Sequence, residues 1–335
     1  MKRRQLIIPP RLQAGDVIGV IAPASSRRFV MEYDNTRWIT ERFALLGLEL
    51  TFGNHVDEDD VFRSSSIASR VSDLHSAFSN PQVRGILTVI GGLTSNELLP
   101  YLDWDLIANN PKILCGYSDI TALNNAIFAK TGLVTYSGPH WSTFGMRDYF
   151  EPTGEWFRRT LFNNYENNPI TLEPSKQWTD DLWFQNQDER HPEPNEGWWV
   201  LQEGSAAGTI IGGNLATFSL LQGTPFLPKI EGALLFIEDI GFYPAPVILR
   251  KLASLLQMPG AEALAGLVIG RFQRHSGISR DVLEQIISRQ PALRGKPVVA
   301  NLDFGHTNPL ITYPIGGEAT VSAEADRAQI VITRY

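Results

Sequence analysis

Short apolar runs alternate with amphipathic stretches along the first 140 or so residues. The runs Val17–Ala22, Leu48–Phe52, Arg84–Ile90, Lys112–Tyr117 and Leu133–Tyr136 have strand length and little polar alternation, so they predict strands buried on both faces. Between them, Ile67, Val71, Leu74 and Phe78 share one face of a predicted helix. Thr94-Ser-Asn-Glu97 has the form of a capping box opening a second helix. A third runs from Asp119 to Lys130, with Gly132 as its stop. This alternation predicts a parallel sheet covered by helices on both sides. Ligands of such sheets bind beyond the carboxyl ends of the strands, a rim that gathers Ala22–Ser26, Gly91–Ser95, Ser118 and Gly138–Trp141.

The pattern breaks from Asn163 to Glu203. Pro169, Pro174, Pro192 and Pro194 interrupt a polar stretch that still holds Trp178, Trp183, Trp198 and Trp199, four of the eight tryptophans. A disordered linker is poor in aromatics, so a long ordered and functional loop is expected. Beyond it, Gly232–Ile237, Gly266–Arg271 and Pro297–Leu302 read as strands, Val247–Leu256 and Asp281–Arg289 as helices, and Ala319–Ser322 with Gln329–Thr333 as a terminal hairpin or ribbon. The expected division is an N-terminal α/β domain (1–165), a Trp-bearing loop (166–204) and a smaller β-rich C-terminal domain (205–335).

Composition narrows the functions. A net charge of −7 argues against nucleic acid or an anionic membrane as partner. One cysteine, Cys115, excludes an intramolecular disulfide and makes a Cys-rich zinc site implausible. No run approaches the ~20 apolar residues of a membrane span, and Pro9 and Pro10 cut the N-terminal apolar run too early for a signal peptide. A cytoplasmic protein is expected. No metal-ligand spacing, no G-x-G-x-x-G after the first strand and no phosphate-binding loop motif is present, so neither metal nor cofactor is expected.

The chemistry centres on Ile113-Leu-Cys-Gly-Tyr-Ser-Asp-Ile-Thr121. A buried strand ending in glycine, an aromatic, a serine and an immediate helix start is the layout of a nucleophile elbow. Ser118 is then either a nucleophile or a helix N-cap. The N–H groups of Asp119 and Gly92 are candidate oxyanion donors, although Gly91-Gly92 equally serves a tight turn. Of six histidines, His140 and His306 follow strand signals, and His306 sits in a loop after a glycine. Glu238 ends an apolar strand, where an acid needs a partner, and Asp239 is its immediate rival. The order Ser…acid…His is that of the α/β-hydrolases, but Ile120 stands where their G-x-S-x-G has its second glycine, which disfavours that fold.

Taken together, the chain resembles the LD-carboxypeptidase family of serine peptidases, and within it the microcin C self-immunity group. The resemblance rests on Gly15-Asp-Val-Ile-Gly-Val-Ile-Ala-Pro-Ala-Ser25, Ile90-Gly-Gly, Leu98-Leu-Pro-Tyr-Leu-Asp103, the elbow Gly116–Thr121, Gly212-Gly-Asn-Leu215, Phe236-Ile-Glu-Asp239 and Phe304-Gly-His306. It implies a Rossmann- or flavodoxin-like N-terminal domain and a smaller β-rich C-terminal one. It also implies a Ser118–His306–Glu238 triad, an oxyanion hole from Gly92 and Asp119, no metal and a homodimer.

Two substrate classes follow from the resemblance. Murein LD-carboxypeptidases release D-alanine from tetrapeptides. Immunity-type members cleave the amide joining an aminoacyl or peptidyl group to a nucleotide, with a Trp-bearing loop stacked on the base. Trp178-Thr-Asp-Asp-Leu-Trp183 resembles that loop, so Trp183 either stacks on a purine or anchors the loop, and Trp198-Trp199 are read as anchors. Asn214 is either a substrate hydrogen-bonder or a turn residue. The expected function is cleavage of small aminoacyl- or peptidyl-nucleotide substrates, with murein peptide hydrolysis or a non-enzymatic sensor as alternatives.

Overall fold

The computed structural model describes residues 5–31, 36–162, 168–325 and 327–335. Asn163–Asn167, the start of the expected loop, and the boundary at 165 lie outside them.

The strands are β1 (Val17–Ile21), β2 (Glu49–Phe52), β3 (Val83–Thr88), β4 (Ile113–Cys115), β5 (Thr135–Ser137), β6 (Ile170–Thr171), β7 (Gln177–Trp178), β8 (Glu193–Pro194), β9 (Trp199–Gln202), β10 (Gly204–Asn214), β11 (Ala233–Glu238), β12 (Gly266–Gly270), β13 (Val298–Leu302), β14 (Tyr313–Ile315), β15 (Glu318–Glu324) and β16 (Arg327–Arg334). The first sheet has the order β14-β5-β4-β3-β1-β2, parallel from β5 to β2. The second has the order β6-β16-β15-β10-β11-β12-β13-β9, with β10 to β13 parallel at its centre. β7 and β8 form a separate ribbon. The fold is thus mixed α/β, with a parallel-strand sheet in the N-terminal half and a further β-rich sheet, and the apolar runs other than Leu48–Phe52 are buried strands for the reason their composition gave.

Two expectations need correction. Thr94 opens a 3-10 turn, Ser95–Tyr101, with no side-chain cap. Its Oγ1 and carbonyl accept from Arg70, whose Nη2 also holds Glu97 at 2.7 Å, so both capping-box side chains are claimed by one buried guanidinium. The second is Leu48–Phe52, which forms the edge strand β2 with mostly exposed side chains rather than a strand buried on both faces. β14 leaves the C-terminal half and pairs antiparallel with β5, completing the first sheet.

The helix Thr121–Thr131 joins the two halves. It is buried nearly all round and ends at Gly132 with φ 83°. Leu123 and Ile127 share one apolar core with Leu114 of the first sheet and Ile211, Leu235 and Ile237 of the second. Asn125 locks the join, receiving Gly212 N–H (3.0 Å) and donating to Gly212 O (2.7 Å). The strand ends of both sheets are therefore fixed relative to the elbow, which begins the same helix.

Candidate active site

Ser118 occupies the first residue of a 3-10 turn after β4, with φ 57°. A non-glycine residue there costs about 1–3 kcal/mol and persists only where the surroundings demand it. The demand comes from β4 ending inside the sheet while the buried helix begins three residues later. Ser118 is only partly covered, so its hydroxyl stands clear of the strand.

Three strand ends converge on this hydroxyl. Ser118 Oγ is 3.1 Å from His306 Nε2, and His306 Nδ1 is 2.7 Å from Glu238 Oε2. A carboxylate only accepts, so Nδ1 carries the ring proton and Nε2 is left to accept from the serine. Glu238 closes β11 and is buried at 3% exposure. It fits because two glycines stand beside it: a Cβ on Gly305 (φ 106°) would lie 2.6 Å from Glu238 Oε2, and one on Gly270 3.0 Å from Glu238 Cβ. Burial works to lower the His306 pKa, but the charge and hydrogen bond of Glu238, with the charge of Asp239, outweigh it and leave it above the usual imidazole value.

Asp239, the rival acid, is engaged by Lys251 rather than by the imidazole. Its Oδ2 accepts from Lys251 Nζ at 3.1 Å. Asn214 lies between the two acids, paired with Glu238 across β10 and β11. Its Nδ2 donates to Glu238 Oε1 and Asp239 Oδ1, both at 3.2 Å, and its Oδ1 caps Thr217 N–H at 3.1 Å. The amide is therefore engaged within the protein.

On the other side of Ser118, Asp119 is held by Ser95, whose N–H donates to Oδ2 (2.9 Å) and whose hydroxyl donates to the backbone carbonyl (2.6 Å). Among the described residues, neither Asp119 N–H nor Gly92 N–H has a protein acceptor. The glycine that grazes the serine is Gly91, the partner of Gly92 in the Gly91-Gly92 pair and not itself a candidate donor. A Cβ on it would sit 3.0 Å from Ser118 Cβ, whereas one on Gly92 would strike Ser25 Oγ at 2.6 Å.

His140, the other candidate histidine, is placed beneath the elbow. Its ring stacks on Tyr117 at 4.4 Å, and Nδ1 pairs with Thr88 Oγ1 at 2.8 Å. Burial, reinforced by nearby His306, pushes its pKa down to about 3, so it is neutral. Cys115 is fully buried in β4 and its thiol is pushed up by that burial. It is a packing residue.

Trp183 is half-buried against the core of the first sheet and stands edge-on to Phe184 at 5.8 Å. Trp199 lies in edge strand β9 and packs on the central core. Trp198 packs on the core behind the second sheet. Trp178 is flanked by the guanidinium groups of Arg271 (4.9 Å) and Arg274 (5.3 Å). The described residues contain no cluster of three or more His, Cys, Asp or Glu able to hold a metal, and no helix long and apolar enough to cross a membrane.

A serine on a strained strand-to-helix turn, hydrogen-bonded to a histidine that is in turn held by a buried acid, has the layout of a serine hydrolase. Comparison with known proteins gives a peptidase. The LD-carboxypeptidase N-terminal domain profile matches residues 18–138 and the C-terminal domain profile residues 207–321. The chain belongs to the LD-carboxypeptidase family and is a peptidase of that family.

Among its relatives is the "Putative carboxypeptidase YocD" of Bacillus subtilis (strain 168), 45% identical over 97% of this chain and 99% of that protein. The crystal structure of an MccF-like protein from Bacillus anthracis str. Ames superposes with a TM-score of 0.95 at 44% identity, covering 98% of this chain and 100% of that one. The microcin C7 self-immunity protein MccF of Escherichia coli is 31% identical over 96% of this chain and 94% of that protein. Its structure in complex with aspartyl sulfamoyl adenosine superposes with a TM-score of 0.88 at 29% identity, covering 98% of this chain and 99% of that one.

Proposed function

We propose that this peptidase works through a Ser118–His306–Glu238 triad and hydrolyses the amide joining an aminoacyl or peptidyl group to a nucleotide-like moiety. The observation that carries the mechanism is the unbroken line of contacts from Ser118 Oγ to His306 Nε2 (3.1 Å) and from Nδ1 to Glu238 Oε2 (2.7 Å).

In that mechanism His306 takes the hydroxyl proton as Ser118 attacks the carbonyl carbon. The oxyanion forms against the unengaged N–H groups of Gly92 and Asp119, next to the open space that Gly91 leaves by lacking a side chain. His306 then protonates the leaving amine, and a water repeats the sequence to release the acyl group. Glu238 holds the imidazole and stabilises its cation. Asn214, with its amide spent on the two acids, is assigned to positioning rather than to substrate.

The substrate class is supported by the complex of MccF with aspartyl sulfamoyl adenosine and by the half-buried Trp183, whose indole suits a purine face. The second reading, release of D-alanine from a murein tetrapeptide, is favoured by the family description and by the carboxypeptidase naming of relatives. A single buried cysteine suits the cytoplasmic location proposed for either.

One experiment addresses both levels. Labelling with a fluorophosphonate followed by mapping of the adduct is expected to mark Ser118, and modification elsewhere overturns the mechanism. The same preparation is then offered an aminoacyl-sulfamoyl adenosine and a murein tetrapeptide. Preferential hydrolysis of the sulfamoyl adenosine amide is expected. If the tetrapeptide is cleaved faster by a wide margin, the carboxypeptidase reading replaces it.

A further inference from the structure

Glu238 and Asp239 are consecutive residues at the end of β11, so the alternation of a strand should send their side chains to opposite faces. Both nevertheless reach one amide nitrogen, Asn214 Nδ2, at 3.2 Å each. The strand stops at Glu238, and the turn beyond it brings Asp239 back, fixed by Ile240 N–H donating to Oδ1 at 2.9 Å. The two carboxyl groups are 3% and 1% exposed. Acids so close and so dry repel one another, and one of them takes up a proton unless a cation intervenes. Lys251, on the helix Ala245–Leu256, supplies that cation. Its ammonium sits 3.1 Å from Asp239 Oδ2 and 3.2 Å from the centre of the Tyr243 ring.

We propose that Asp239, held ionised by Lys251, is a positioning residue that acts with Asn214 and Glu238 to set the basicity of His306. The proposal rests on the triad reading above. Asn214 is oriented from behind by its bond to Thr217 N–H, so its two amide protons face the acids, one for each. Glu238 then presents Oε2 to the imidazole with its other oxygen already satisfied. Asp239 adds a second negative charge near the ring while Lys251 keeps that charge buried at tolerable cost. The groups facing this cluster are Glu238, Asp239 and Lys251 on the second-sheet side, Tyr117 and His140 on the elbow side, and Tyr313 within the field of Glu238. Burial and neighbouring Glu238 raise the Asp239 pKa, and Lys251 opposes them.

The alternative is an ion pair that merely pins the helix Ala245–Leu256 to the strand end. The test reads His306 directly. Its imidazole is titrated by NMR in the Ser118→Ala protein and in Ser118→Ala combined with Asp239→Asn, Lys251→Met or Lys251→Arg. Removing the Asp239 charge is expected to lower the His306 midpoint by about one pH unit. In the otherwise unaltered enzyme the same substitution is expected to move the rising limb of kcat/KM to lower pH and to reduce kcat roughly threefold to tenfold with KM unchanged. Lys251→Met is expected to change the midpoint, and Lys251→Arg to restore it. An unmoved midpoint in Asp239→Asn, accompanied only by a lower Tm, overturns the proposal. Failure of the triad reading shows separately, as a parent enzyme whose Ser118 does not react with fluorophosphonate, because the titration needs no turnover.

Discussion

The Ser118–His306–Glu238 cluster and the Trp-bearing segment 175–195 are tied down in opposite ways. The cluster is set by buried partners at 2.7–3.2 Å and by glycines that leave the acid no room to move. The segment has two-residue strands and mostly part-covered or exposed side chains, held by ion pairs. Arg274 gathers Asp180, Asp181 and Glu193, and Arg147 holds Asp188. Such pairs are worth about 0–1 kcal/mol each at the surface. Its deep anchor is Asp303, which accepts from Ser175 N–H and hydroxyl and from the buried Arg271 guanidinium. The difference separates two tasks. On the proposed function, bond-breaking geometry, which tolerates little error, is built into the core, whereas choice of substrate falls to a part that can be altered without disturbing it.

That separation is broken most severely at the nucleophile. Ser118→Ala is expected to lower kcat by about a thousandfold or more while the protein stays folded, checked by kinetics and circular dichroism. Ser118→Gly is expected to be equally inactive but more stable than the alanine variant by about 1 kcal/mol, because φ 57° strains alanine and not glycine. Equal melting temperatures for the two would mean the turn carries no strain.

Next in size, Glu238→Gln is expected to reduce kcat by roughly three to four orders of magnitude, since an amide cannot stabilise the imidazolium. The sign of the His306 shift sets a pH test in the parent. The base is active when unprotonated, and its pKa is raised, so kcat/KM is expected to climb with an apparent pKa above 6.5. A midpoint below that value would show that the acids do not govern the ring.

Smaller effects are expected in the segment. Trp183→Ala is expected to cost roughly tenfold to a hundredfold in kcat/KM on a purine-bearing substrate, mainly through KM, and to leave a small acyl anilide unaffected. An equal loss on both substrates would put Trp183 into the packing of the site instead. Arg147→Ala removes an exposed pair with Asp188 and is expected to change stability by under about 1 kcal/mol, with kcat unchanged.

How far each region could be read from residues alone follows the same division. Strands β1 to β5, β11 to β13, β15 and β16, the helix ending at Gly132 and the elbow were legible because local composition decides them: apolar runs, a turn glycine, a serine at a helix start; β10 was not, because Gly204–Asn214 is too rich in glycine to read as an apolar run. The distances that make Ser118, Glu238 and His306 one cluster were not either, since 188 residues separate the serine from its histidine and the residues alone offered only an order of candidates, with His140 and Asp239 as rivals. Thr94 and Glu97 mislead for a similar reason: local spacing suggests a cap, but Arg70, far off in sequence, takes both side chains. Which glycine of the Gly91-Gly92 pair grazes the serine was not legible, because close approach is a property of what lies opposite a glycine, which sequence does not state. β14 was invisible as a partner of β5 because three residues carry no address.

The return of β14 to the first sheet has a consequence for a chain made from its amino end. Ser118 and its elbow are synthesised long before His306, and the edge of β5 stays unpaired until Tyr313–Ile315 exists to cover it. A nascent or prematurely ended chain thus carries the proposed nucleophile without its base and shows a bare strand edge, the kind of surface that quality control and aggregation both seize upon. On the proposed mechanism, completing the sheet and arming the serine are therefore nearly one event in the life of each molecule, so the peptidase is silent until synthesis has passed Ile315.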